Sequence, residues 1–187
     1  MEKDAVVQPQ YIYIMFTHTG TWFSKVLRLI TRNEFTHVSI SLDKSLTQLY
    51  SFGRNTIKER PWAAGFVHED PRGGVYKELS GTHCVVYQLE VSSEQYLRAK
   101  QIIEYFLRNQ SEFKYNFPGL FFMAMGWPKR FRRRFVCSQF VAFVLENSGT
   151  LHFEKDFSLI RPQDLGRQSF GAVLYRGELA NYDTVAG

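Results

Sequence analysis

Five stretches of the chain are rich in apolar β-type residues, in alternating or continuous runs, which is typical of strands with one or two buried faces. These predicted strands cover residues 11–16, 35–43, 46–52, 82–91 and 171–176. Alternation in the second strand puts His37 on the face opposite Val38 and Ile40, so this histidine begins a strand on its polar side. The short connection after Asp43 predicts a hairpin between the second and third strands.

In three further stretches, apolar residues recur at helical spacing. One predicted helix begins at Thr21, and a second begins with a capping box at Ser92 and ends near Asn109. A third contains Cys137 in its first turn and ends at Gly149, which can adopt a left-handed cap.

The remaining segments predict loops and short elements. Residues 53–79 are rich in Gly, Pro and charge, with short extended pieces at 65–69 and 74–78. Residues 161–165 predict a short helix with a proline at its start. Strands and helices together predict an α+β protein.

Composition indicates one globular domain, since the 187 residues are 44% hydrophobic and 22% charged. We expect flexible ends at 1–10 and 179–187. The first residues contain no secretory apolar region, and the apolar run 117–127 is too short to span a bilayer, so we expect a cytoplasmic protein. Cys84 and Cys137 fit neither a zinc pattern nor a disulfide framework, and the sequence contains no Gly-rich phosphate loop, so no metal or cofactor is predicted.

The net charge of +5 is concentrated in the sequence Lys-Arg-Phe-Arg-Arg-Arg at residues 129–134, just before Cys137. Such a run is usually a solvated surface loop. It could also contact anionic lipid or nucleic acid, or attract anionic substrates to a reactive thiol nearby.

Cys137 is the first candidate for chemistry. A thiol in the first turn of a helix faces unpaired backbone N–H groups and the positive end of the helix dipole, and both favour the thiolate that attacks carbonyl groups. The alternative is that Cys137, like Cys84, is a small core residue.

His37 is the second candidate, because it begins a strand and faces away from the apolar side. A histidine in this position can be a surface residue. It can also accept the proton of a cysteine thiol and return it to a leaving group, while a third polar residue holds the ring.

Three short motifs are similar to parts of one known superfamily. They are Thr-His-Val-Ser-Ile-Ser-Leu-Asp at 36–43, Phe-Lys-Tyr-Asn at 113–116 and Phe-Val-Cys-Ser-Gln-Phe-Val at 135–141. They resemble the histidine strand, the tyrosine-containing segment and the cysteine helix of the NlpC-type papain-like cysteine peptidases. The histidine precedes the cysteine by 100 residues, which matches the circularly permuted YiiX/YebB-like branch, whose relatives include the lecithin:retinol acyltransferase group.

The resemblance, over residues 11–165, implies a permuted papain-like fold with an antiparallel sheet packed against helices that include the cysteine helix. It implies Cys137 as nucleophile and His37 as base, with the Cys137 N–H and Tyr115 as oxyanion donors. Relatives carry a glutamate on the strand after the histidine strand, and Ser51 aligns with it here. Gln48 or Tyr50 would take this third position if the register differs by one residue.

Three functions follow as hypotheses. The first is a thiol hydrolase of the amidase or peptidase type, acting through an acyl-enzyme on small peptides, peptidoglycan-like fragments or other amides, with the basic run favouring anionic substrates. The second is an acyltransferase or thioesterase for lipid-like acyl groups, with residues 117–127 lying on a membrane surface. The third is a non-catalytic binding module with a basic face. No specific nucleic-acid partner is predicted.

Overall fold

The computed structural model describes residues 9–18, 35–56, 58–79, 81–167 and 171–182. The helix predicted from Thr21 lies outside these residues. Within them the chain forms eight strands: β1 (Gln10–His18), β2 (His37–Ser41), β3 (Leu49–Gly53), β4 (Gly65–Glu69), β5 (His83–Val91), β6 (Lys114–Tyr115), β7 (Arg134–Phe135) and β8 (Ala172–Glu178).

The strands form one sheet in the order β7-β6-β4-β3-β2-β1-β5-β8. Every neighbouring pair is antiparallel except β6 and β7, which run parallel. The predicted hairpin of β2 and β3 and the predicted strands around 65–69, 82–91 and 171–176 are confirmed.

The helices among the described residues are α1 (Gly74–Glu78), α2 (Ser93–Arg108), α3 (Phe117–Met125), α4 (Cys137–Asn147) and α5 (Pro162–Gly166). The mixed α+β class predicted from the sequence is therefore confirmed. Ser92 and Gln95 form the predicted capping box of α2. After α4, Gly149 has the predicted left-handed conformation, with φ of 75°.

The hairpin connection is longer than predicted. Strand β3 begins at Leu49, three residues later than expected, because the Asp43 carboxylate organises the preceding loop. It accepts the backbone N–H of Thr47 at 3.0 Å and that of Gln48 at 2.6 Å. These two N–H groups are therefore not available for pairing between β2 and β3.

Two other segments differ from the expectation. Residues 74–78 form helix α1 and not an extended piece; a turn in which the Asp70 carboxylate accepts the Arg72 N–H at 2.9 Å ends β4 and leads into it. Leu179–Asn181, expected in a flexible end, form a 3₁₀ helix, and Leu179 and the following Tyr182 are buried in the cluster on one face of the sheet. The Tyr182 hydroxyl donates to the Lys44 carbonyl at 2.6 Å.

Hydrophobic residues cover both faces of the sheet. One face packs against α2, α3 and α4 through a cluster of phenylalanines around Phe52, Phe106 and Phe140, all at most 2% exposed. The other face is covered by a smaller cluster that contains Tyr76 and Cys84. Cys84 is thus a core residue, as predicted.

No helix within the described ranges combines the length and apolar character that a membrane span requires. The apolar run 117–127 forms α3 and its C-terminal turn. Met123 is buried on the inner side of this helix, whereas Phe121 and Met125 are exposed.

Candidate active site

Cys137 is the first residue of α4, as the sequence predicts, and its side chain is 4% exposed. The first intrahelical hydrogen bond runs from the Phe140 N–H to the Val136 carbonyl. The N–H groups of the first turn have no helical acceptor and point towards the space beyond the helix start. The thiol therefore lies at the positive end of the helix dipole.

Buried Gln139 fixes this helix start. Its Oε1 accepts the Val136 N–H at 3.0 Å and the Asn116 side-chain amide at 3.2 Å. Its Nε2 donates to the Ser158 carbonyl at 2.7 Å. One side chain thus ties the residue before Cys137 to two other segments.

His37 begins β2 and meets Cys137 with its imidazole. The Cys137 side chain lies close enough to raise the pKa of His37 through its charge and hydrogen bonding. Nε2 of His37 lies 2.7 Å from Oε1 of Glu69, at the end of β4. Because Nε2 faces this carboxylate, Nδ1 is the ring nitrogen available to the thiol.

Glu69 is the site residue that the sequence did not assign to His37. Its carboxylate accepts hydrogen bonds from three hydroxyls besides the imidazole: Ser39 at 2.6 Å, Tyr76 at 3.0 Å, and Ser51. The register places Glu69 opposite Leu49, on the face that also carries Ser51. The one signal in the sequence was an acidic residue at the end of an apolar strand, on the same face as Val67.

Ser51 does not occupy the position predicted for it. The prediction had its hydroxyl accept the imidazole N–H, whereas the hydroxyl donates to Glu69 Oε1, the oxygen that faces the ring. The alternatives do not replace it. Tyr50 stacks on Phe66 in the core on the other face, and the Gln48 N–H donates to Asp43.

The ion pair changes the protonation of both partners. Burial by itself would lower the pKa of His37, but the charges of Glu69 and of Cys137 outweigh burial and raise the pKa well above its ordinary value. Burial would raise the pKa of Glu69, but the charge of His37 and the hydrogen bonds lower it. The arrangement therefore favours a carboxylate beside an imidazolium.

Tyr115 lies on β6 next to the cysteine and is 3% exposed. Burial first, and the charge of Cys137 second, raise the pKa of its phenol well above the ordinary value. The hydroxyl is therefore protonated near neutral pH and is able to donate a hydrogen bond. Its role as an oxyanion donor stays a prediction.

The basic run starts after α3 and ends at Arg134 in β7, three residues before Cys137. Arg130 pairs with Asp156 at 3.0 Å, and Arg133 pairs with Glu112 at 2.7 Å. Both partners lie outside the Cys137–His37–Glu69 group. In the described part of the chain, no cluster of three or more His, Cys, Asp or Glu side chains could hold a metal ion.

Comparison of the chain with models of known protein families, with curated proteins and with solved structures found no match. The geometry of the site and the motifs of the sequence are therefore the observations that bear on function.

Proposed function

We propose that this chain is a cysteine-dependent hydrolase with a permuted papain-like fold of the NlpC type. Cys137 is the nucleophile and His37 is the general base. Glu69 orients the imidazole and stabilises its protonated form. The observation that supports this most is the chain of contacts from Cys137 through His37 to Glu69. A nucleophile, a base and a residue that orients the base are the parts that covalent acyl transfer requires.

In the acylation step, the proton of the Cys137 thiol already lies on Nδ1 of His37, as the raised pKa of the imidazole favours, and the thiolate attacks the carbonyl carbon of an amide. The N–H of Cys137 and the Tyr115 hydroxyl donate to the oxyanion of the tetrahedral intermediate. Collapse of the intermediate breaks the C–N bond, and His37 returns the proton to the departing amine. A thioester on Cys137 remains.

Deacylation repeats these steps with water as the nucleophile. Neutral His37 takes a proton from a water molecule, the hydroxide attacks the thioester, and the carboxylic acid leaves as the thiol regains its proton. Glu69 stabilises the imidazolium in both steps, and three hydroxyls hold its carboxylate in place.

The substrate class that we propose is the amide bond of small peptides or peptidoglycan-like fragments. The nearby basic run, in which Lys129, Arg132 and Arg134 are exposed, favours substrates with a carboxylate. The proposal includes a reducing, cytoplasmic location, which the free thiols of Cys84 and Cys137 support.

A second candidate function is acyl transfer or thioester hydrolysis on lipid-like acyl groups. The observation in its favour is the exposed apolar surface of α3, the helix that begins just after Tyr115. A non-catalytic binding module is less well supported, because Glu69 supplies a carboxylate to His37.

The decisive experiment measures alkylation of each cysteine by iodoacetamide at neutral pH, by peptide mass analysis. Burial raises the pKa of Cys84 to about 12, so this residue is an unreactive internal reference. We expect Cys137 to react at least tenfold faster in wild type than in His37→Ala, and Cys84 to stay unreactive in both. His152→Ala, at an exposed histidine, is the matched control.

Equal reactivity of the two cysteines, or an unchanged rate at Cys137 in His37→Ala, would contradict the proposal. If the reactivity is as expected, incubation with amide, ester and acyl-thioester substrates should give an acyl adduct at Cys137. The substrate that gives it separates the amidase from the acyl-transfer hypothesis.

A further inference from the structure

The outer side of α3 exposes large apolar side chains. Phe121, Met125 and Trp127 are 61%, 50% and 54% exposed. Phe121 and Met125 are one helical turn apart and share a face. The backbone N–H of Trp127 donates to the Phe122 carbonyl at 2.9 Å, which keeps the backbone of this residue at the helix end. Grouped exposed apolar residues mark a surface that contacts something other than water.

The basic run carries the excess charge of the chain. Five of the 23 Lys and Arg residues lie in 129–134, and the remaining 18 equal the 18 Asp and Glu, so this run accounts for the net charge of +5. Across the described residues, no carboxylate lies within ion-pair distance of Lys129, Arg132 or Arg134. These three cations can therefore pair with an external anion.

The apolar and basic surfaces adjoin each other. The rings of Phe122 in α3 and Phe131 in the basic run lie with centroids 5.8 Å apart. Exposed Lys114 in β6 lies opposite Arg134 in β7 and adds another cation. We call the surface formed by Phe121, Met125, Trp127, Lys129, Arg132 and Arg134 the α3 face.

We propose that the α3 face docks on an anionic lipid bilayer. Phe121, Met125 and Trp127 enter the boundary between headgroups and acyl chains, and the three cations pair with lipid phosphate or carboxylate groups. Aromatic residues beside Lys and Arg are the composition of helices that lie in this boundary. The inference does not depend on the proposed hydrolase activity.

A bilayer fits this surface better than a nucleic acid does. Nucleic acids bind to basic surfaces through phosphate contacts and stacking on aromatic rings. That mode gives no role to an exposed methionine one turn from Phe121. A bilayer accepts aromatic and aliphatic side chains side by side and supplies the negative charge that the unpaired cations require.

The test is co-sedimentation with vesicles of phosphatidylcholine alone and with vesicles that contain about 30% phosphatidylserine, the anionic lipid of such surfaces. Two variants divide the surface: Phe121→Ser with Trp127→Ser, and Lys129→Gln with Arg132→Gln and Arg134→Gln. Leu97→Ser and Lys100→Gln, at exposed positions of α2, are the matched controls. Cys137→Ala separates docking from catalysis.

We expect binding to the anionic vesicles only. Each lost cation should weaken binding about fivefold, and the apolar variant should weaken binding at least tenfold. Both controls and Cys137→Ala should bind as wild type does. If the double apolar variant is unfolded by circular dichroism, the single variants Phe121→Ser and Trp127→Ser take its place.

Absence of binding to anionic vesicles would overturn the inference, and so would equal binding to both kinds of vesicle. Loss of binding in the charge variant with no change in the apolar variants would also overturn it, because the face would then be a general polyanion site. Tighter binding to single-stranded RNA than to the vesicles would assign the face to nucleic acid.

Discussion

Nε2 of His37 lies 2.7 Å from Oε1 of Glu69, although 32 residues separate the two along the chain. The contact is formed across β2, β3 and β4, which are consecutive neighbours in the sheet. Hydroxyls of Ser39, Ser51 and Tyr76 hold the carboxylate. The imidazole is therefore oriented before any substrate arrives.

Replacement of the carboxylate tests its role in the proposed chemistry. Glu69→Gln removes the charge that stabilises the imidazolium, and we expect the alkylation rate of Cys137 and any hydrolysis rate to fall on the order of 100-fold. Ser51→Ala should cost less than about tenfold, because Ser39 and Tyr76 still hold Glu69. Glu90→Gln, at an exposed site on β5, is the control. If the alkylation rate falls more in Ser51→Ala than in Glu69→Gln, Ser51 would again be the candidate for the residue that orients His37.

The ion pair should give stability a characteristic pH dependence. The lowered pKa of Glu69 contributes stability that is complete above its unfolded value of about 4.3 and is lost as pH falls through the folded value. The raised pKa of His37 contributes stability that is complete below about 6.5 and is lost as pH rises through the folded value.

Urea unfolding of wild type and Glu69→Gln as a function of pH measures this contribution. The difference in unfolding free energy should be largest between about pH 4.5 and 6.5 and should decrease on both sides. A difference that does not vary with pH would show that the pair is not charged in the folded protein.

Tyr76 should act on the site through Glu69. Its hydroxyl stabilises the charged carboxylate, so Tyr76→Phe should raise the pKa of Glu69 and move the acid limb of the activity profile up by as much as about one pH unit. Tyr182→Phe is the matched control, since it removes a buried hydroxyl that donates to Lys44 instead. If the two variants have equal pH profiles, the role of Tyr76 is limited to packing.

Gln139 should be essential for the position of Cys137. Gln139→Leu leaves the Val136 N–H, the Asn116 amide and the Ser158 carbonyl without this partner, and we expect a loss of about 2–4 kcal/mol in unfolding free energy. Alkylation of Cys137 should slow as well. Asn147→Ala, at the exposed end of the same helix, should change stability by less than about 0.5 kcal/mol. Normal reactivity and stability in Gln139→Leu would contradict this role.

The sequence pattern predicted a structural feature correctly wherever that feature depends on neighbouring residues. The capping box at Ser92, the glycine after α4 and the position of Cys137 at a helix start depend on neighbouring residues and were predicted. Alternation along β2 also placed His37 on the face opposite Val38, because side chains of a strand alternate whatever the partner strand is.

The connections between strands were harder to predict. The β2–β3 loop is lengthened by hydrogen bonds to the side chain of Asp43, and residues 74–78 form a helix that buries Tyr76 beneath the sheet. Both differences depend on hydrogen bonds and packing of side chains, which here favour a loop or a helix over an extended strand. The spacing of hydrophobic residues does not predict such contacts.

The sequence by itself determined the nucleophile and base candidates, since a helix start and a strand face are properties of short segments. Only the tertiary structure decided their partner. The pairing of β3 with β4 sets Glu69 opposite Leu49 and within reach of His37, and a shift of one residue would have turned the carboxylate to the phenylalanine face. Strand register follows from the packing of the whole sheet, and so the carboxylate next to His37 is settled by the fold and not by any motif.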